Sequence, residues 1–176
     1  MMLSIAGIGL MQMQQIGVEL EEIATETVPL TTNVSKVSLH QLEQAILLER
    51  LLRVGNVGSA GQTDSFDGLT DTLFRLAALV DEEILAAEEI AEKGIAIAHT
   101  EEQRAKYANV LAQLKTIEQE HKIYDDHIHT VVDHIKTGDL NKATRLAAEV
   151  EAEQARLNGE LEELDDGAEQ LCHHVR

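Results

Sequence analysis

Aromatic residues, proline, cysteine and positive charge are all scarce in this chain of 176 residues. Phe, Trp and Tyr make up 2% of the residues, which argues against a sheet, because sheets favour aromatic and β-branched side chains. The single proline, together with the abundance of Ala, Leu, Glu and Gln, favours long helices. The length is that of one domain.

The scarcity of Lys and Arg gives the chain a formal net charge of -18. A charge of this sign argues against nucleic acid as a partner and against an anionic membrane surface, whereas it attracts cations. The lone Cys172 cannot form an internal disulfide, and it stands beside His173 and His174 near the chain end. No nucleophile with its base, phosphate-binding glycine loop or Cys-x-x-Cys-His motif is present, so a role other than catalysis is favoured.

The N-terminal segment Met1–Met11 is apolar and carries no charged residue. It is shorter than the roughly 20 apolar residues that span a bilayer, and it lacks the basic start of a signal peptide. We expect residues 1–17 to be the end of a transmembrane helix and residues 18–176 to form the folded domain. The alternative is an apolar helix end that packs within the protein or an oligomer.

Apolar residues recur at steps of three and four along four segments, which predicts four amphipathic helices. The first helix runs to about Arg53 and is expected to kink near Pro29, because proline removes a backbone donor and clashes with the preceding turn. Residues 55–68 form the predicted loop, and the remaining helices cover about 67–98, 100–137 and 139 onwards. Thr100–Gln103 has the form of a capping box that starts the third helix, and Gly138 ends that helix. The predicted fold is therefore all-α, an antiparallel up-down four-helix bundle.

Each predicted helix carries one ionisable residue on its apolar row, where a charge is costly to bury. These residues are His40, Glu83, His121 and Glu153. At a rise of 1.5 Å per residue, all four lie about 21–25 Å from the same end of the bundle. We therefore predict one polar layer inside the core.

Two further acids extend this layer, because a spacing of three residues places side chains on one helix face. Glu43 follows His40, and Glu118 precedes His121 as a Glu-x-x-His element. Four carboxylates and two imidazoles suit one or two ions of iron, manganese or zinc. The predicted metal ligands are His40, Glu43, Glu83, Glu118, His121 and Glu153.

Other interpretations of these polar positions remain open. A buried polar layer can fix helix register without binding anything, and glutamate is abundant enough to fall on a core row by chance. A b-type haem fits less well, because few aromatic residues are available to line its pocket. Asp125 and Tyr124 lie one turn from His121 and are candidate outer partners. The side chains expected to be solvated are those of Asp126, His127, His129 and His134.

The polar layer resembles the centre of ferritin-like di-iron and di-manganese bundles, although His40-x-x-Glu43 presents the two groups in reversed order. The chain as a whole resembles the extracytoplasmic four-helix sensor regions of bacterial methyl-accepting chemotaxis proteins and related membrane receptors. The resemblance lies in the apolar start, the break at Val28–Thr31 and the helix containing His40–Ile46. It implies a homodimeric ligand-binding domain in the periplasm, attached to the inner membrane through its N-terminal helix.

The predicted function is thus that of a metal-binding sensor domain of a transmembrane chemoreceptor or signalling protein. A soluble ferritin-like metal oxidase or store is the first alternative. A metal-free structural bundle is the second.

Overall fold

The computed structural model describes residues 28–57 and 65–172, which form four packed α-helices and, within these residues, no strand. The helices are α1 (Val28–Val57), α2 (Phe66–Ile97), α3 (Glu101–Lys136) and α4 (Leu140–Cys172). The predicted all-α class and the four helices are confirmed. Pro29 stands in the first turn of α1, where proline is tolerated, so the predicted kink and the apolar N-terminal segment fall at or beyond the edge of the described residues.

Polar side chains and one glycine determine where α2, α3 and α4 begin and end. Ser65 caps α2 by accepting a hydrogen bond from the Gly68 backbone N–H. Thr100 and Gln103 form the capping box predicted for α3, with N···O distances of 3.1 and 3.2 Å. Gly138 has a φ of +78°, the left-handed conformation that ends many helices, and lies in the connection between α3 and α4.

The core is continuous along the bundle. Helix α1 packs against α2 and α4, and α3 packs against the same two helices from the opposite side. The buried positions of α1 and α3 follow steps of three and four, the spacing that gives each helix one buried face. In α1 they include Val34, Val37, Leu48 and Leu51.

Helix α2 departs from the predicted core row after Val80. The predicted row continued from Val80 to Glu83, a step of three residues. In the structure, the next buried residue after Val80 is Ile84, so that two steps of four residues follow each other. The extra residue between successive buried positions rotates the buried face around the axis of α2. The shift has a clear physical benefit, because it buries an isoleucine and leaves the Glu83 carboxylate at the edge of the core.

The rotated face continues through Ala87, Ala91 and Gly94, all of them buried. A Cβ on Gly94 would lie 2.5 Å from Cδ1 and 2.7 Å from Cγ of the buried Tyr107 ring. The absence of a side chain at Gly94 therefore allows the close approach of α2 and α3.

Replacement of Gly94 by alanine is expected to lower the free energy of unfolding by about 1 kcal/mol. Overpacking against the buried ring costs about 1–3 kcal/mol, which outweighs the gain of about 1 kcal/mol in helix propensity. Gly159→Ala is the matched control, because nothing lies within 4 Å of a Cβ at that exposed site. The control should gain about 0.5–1 kcal/mol in urea denaturation, and an equal gain for Gly94→Ala would contradict this packing.

Candidate functional site

Polar side chains replace apolar ones in the middle of the α1 and α3 core rows. Gln41 and Gln44 of α1 and His121 and Tyr124 of α3 are each no more than 1% exposed. The contacts of α2 show that they share one level of the bundle, because Glu83 pairs with His40 and Asp81 pairs with His121. Two residues of a helix span only about 3 Å of its axis.

His121 is the centre of the main ionisable cluster. Its Nδ1 lies 3.1 Å from Asp81 Oδ1 on α2 and 3.8 Å from Asp125 Oδ2, one turn further along α3. The Asp81 side chain is 55% exposed and that of Asp125 is 16% exposed, so the cluster runs from the core to the surface. One ligand atom from each residue lies within 4.8 Å of the others, so the three could hold a metal ion.

Burial changes the ionisation of this cluster. It lowers the pKa of His121, against the smaller opposing effect of Asp81, so the imidazole is neutral near pH 7. Burial also raises the pKa of Asp125 to about 7, with further increases from the negative charges of Asp81 and Asp126. A neutral imidazole is the form that binds metals. The carboxylates repel one another, so a cation between them would be stabilised.

A cleft of about 560 Å³ between α2 and α3 opens onto the cluster. Asp81, Asp125, Asp126 and Glu118 contribute carboxylates to it, and Lys122 contributes an ammonium group. The negative charge of the cleft therefore lies beside the exposed side of the cluster. This arrangement attracts a cation from solvent to His121.

The predicted metal ligands do not all meet at one point. His40 Nδ1 lies 2.8 Å from Glu83 Oε2 between α1 and α2. Glu153 of α4 lies 2.9 Å from Nδ1 of His127 instead. His127 is six residues beyond His121, which corresponds to about 9 Å along α3.

The two remaining predicted ligands lie outside the core. Glu43 is exposed, and Glu118 is partly buried on the wall of the cleft. His121 is thus the single member of the predicted set that belongs to the three-residue cluster among the described residues. The metal-binding role of the other five stays a prediction.

Two histidines expected to be solvated have specific partners. His127 bonds to Glu153, and the His129 ring stacks on Phe74 with the ring centroids 3.9 Å apart. Asp81 was not anticipated, because it is largely exposed and lies off every apolar row. Asp125 was recognisable from its i,i+4 spacing to His121.

Several buried polar atoms at this level have no hydrogen-bond partner within the described residues. Both side-chain polar atoms of Gln44 are among them. The others at this level are the Gln41 amide nitrogen, His121 Nε2, the Tyr124 hydroxyl and Asp125 Oδ1. Unbonded amides and hydroxyls in a core are costly, so these side chains lower the stability of the bundle at this level.

Comparison of the chain with protein-family models, with curated proteins and with solved structures finds no match. Among the described residues, no helix is both long and apolar enough to cross a membrane.

Proposed function

We propose that the chain is a sensor domain whose helical bundle binds one divalent transition-metal ion at Asp81, His121 and Asp125. The observation that carries this proposal is the convergence of a buried, neutral imidazole and two carboxylates from two helices. The cleft between α2 and α3 exposes Asp81 and Asp125 of the cluster to water.

The donor set determines which metals fit. One imidazole nitrogen and two carboxylate oxygens suit zinc, manganese and ferrous iron, and they give no preference for copper(I), which favours sulfur ligands. Three protein ligands leave at least one coordination position open towards the cleft. The metal's charge would offset the repulsion among Asp81, Asp125 and Asp126.

The site connects metal occupancy to the helix arrangement. Asp81 belongs to α2, whereas His121 and Asp125 belong to α3. A bound cation holds the two helices together at this level, and its loss leaves like charges facing each other across the interface. An ion that binds one helix spacing better than another shifts the population towards that spacing, which is the physical basis of the proposed sensing.

The wider setting of the domain is proposed from the sequence resemblance. We place it in the periplasm, attached to the inner membrane through the N-terminal segment, with the helices in antiparallel up-down order. The three-residue connections 98–100 and 137–139 support that order. A homodimer through α1 is supported by the exposed apolar side chains of Leu39 and Leu42 on the outer face of that helix.

The ferritin-like di-metal centre has less support. It needs ligands from four helices around one pair of ions, whereas His40 and Glu83 pair at one interface and Glu153 pairs with His127 at another. The metal-free structural bundle is favoured by one observation, the buried glutamines, which can fix helix register.

The experiment is a calorimetric zinc titration of untagged protein that has first been treated with a chelator. We expect one equivalent to bind, and Asp81→Asn to weaken binding by roughly 10- to 100-fold, a loss that even outer partners of a metal can cause. Asp71→Asn is the control, because it removes the same charge from an exposed site of α2. Absence of stoichiometric binding, or equal weakening in both variants, would refute the proposal.

A further inference from the structure

A second cleft, on the opposite side of α2 from the metal cluster, has the character of an anion site. It lies between α1 and α2 and has a volume of about 320 Å³. Its floor is formed by the apolar side chains of Ile46, Leu47 and Leu76. Arg50 of α1 and Arg75 of α2 line it from facing helices, and Glu43 lies at one end.

Both arginines lack a partner within the described residues, since neither makes an ion pair or hydrogen bond there. Arg104 and Arg156 behave differently, because they pair with Glu101 and Glu120. Arg53 and Arg145 likewise make no ion pair or hydrogen bond within the described residues. What distinguishes Arg50 and Arg75 is therefore that both line the same cleft. Two arginines in one cleft concentrate positive charge at a single place.

The local charge balance supports the same conclusion. Helix α1 contains three basic residues against two acidic ones, whereas α2 and α4 are strongly acidic. The guanidinium group is planar and presents paired N–H donors that match a carboxylate. Guanidinium groups from two helices can therefore bind one carboxylate from two sides.

We propose that this cleft binds a small aliphatic monocarboxylate, with the carboxylate held by Arg50 and Arg75 and the hydrocarbon body on Ile46, Leu47 and Leu76. The apolar floor disfavours inorganic anions, which have no hydrocarbon to bury. Glu43 lies seven residues before Arg50, about 10 Å along α1. Its negative charge repels a second carboxylate at the far end of the ligand, so the cleft selects one carboxylate over two.

The test uses hexanoate as the probe, in calorimetry or NMR titration of the full chain with a metal chelator present. Saturable binding is expected, and Arg50→Gln and Arg75→Gln should each weaken it at least about 10-fold, as expected for loss of a charge-assisted hydrogen bond. Arg145→Gln, an exposed arginine of α4 outside the cleft, is the matched control and should change the affinity less than about twofold. Circular dichroism checks that all variants keep their helix content.

Adipate, which carries a carboxylate at each end, tests the role of Glu43. It should bind at least about 10-fold more weakly than hexanoate to the wild-type protein, and Glu43→Gln should reduce this difference. The site is refuted if hexanoate does not saturate, or if all three arginine variants bind it equally. Equal affinities for adipate and hexanoate would overturn the selection for a single carboxylate. Because chelator is present, these outcomes are independent of the metal proposal.

Discussion

The double variant Gln41→Leu/Gln44→Leu is expected to be more stable than the wild-type protein by roughly 2–4 kcal/mol. Both glutamines are fully buried, and three of their four side-chain polar atoms have no hydrogen-bond partner within the described residues. Burial of an unbonded amide costs about 1–3 kcal/mol in proteins. Leucine has a similar volume and replaces that cost with favourable apolar burial.

Urea denaturation followed by circular dichroism measures this change. Gln119→Leu, at an exposed position of α3, is the control and should change stability by less than about 0.5 kcal/mol. A double variant less stable than the wild-type protein would mean that the glutamines are bonded in solution, and the core level would then be a satisfied polar network.

Asp125→Asn is expected to stabilise the metal-free protein at pH 8, by roughly 2–4 kcal/mol, and to have little effect near pH 4. Burial raises the pKa of Asp125 from its ordinary value of 3.8 to about 7. Between these values the folded state binds more protons than the unfolded state, so the stability of the wild-type protein falls as the pH rises. The penalty is complete above pH 7, and asparagine does not incur it.

The measurement is a series of urea denaturations between pH 4 and pH 8 in chelator. The pKa of His121 shifts in the opposite direction and therefore destabilises the folded state as the pH falls below 6.5, a contribution that both proteins share to first order. Addition of zinc should reverse the order at pH 8, because zinc stabilises the carboxylate that the variant lacks. A difference between the two proteins that does not depend on pH would contradict the burial of an ionisable Asp125.

The helices and their caps could be predicted because local chemistry determines them. The Thr100–Gln103 capping box and the glycine at 138 act over a few residues, and the apolar steps define one face of each helix. The shift in α2 was not predictable from these steps alone. After Val80, a step of three to Glu83 and a step of four to Ile84 both fit a helical row, and the structure takes the step that buries the apolar residue.

The candidate site was predicted in part. The height of a residue along its helix follows from sequence, and His40, Glu83 and His121 do share one level. The direction of a side chain around the helix is less well determined, because one residue corresponds to a rotation of about 100°. His40 thus lies beside the core row, with Gln41 in the core, and pairs with Glu83 at the α1–α2 interface.

Charged side chains near a core row turn towards the edge of the row, where a partner and solvent are both available. This explains why the predicted polar layer separates into three pairs at three helix interfaces, His40–Glu83, His121–Asp81 and His127–Glu153. Of these side chains, His121 alone stays buried in the core. Asp81 completes the cluster from an exposed position that no periodic pattern marks. A site residue of this kind is identified by the structure alone.

The coordination of His121 in the presence of zinc tests the central claim most directly. Protein with ¹⁵N-labelled histidine side chains reports which imidazole nitrogen binds the metal, and the His121 signals are assigned through their loss in His121→Gln. One equivalent of zinc should shift the Nδ1 resonance of His121 and leave its proton on Nε2, with the imidazoles of His40 and His127 unchanged. No shift, a shift first at another histidine, or coordination through Nε2 would contradict a metal site formed by Asp81, His121 and Asp125.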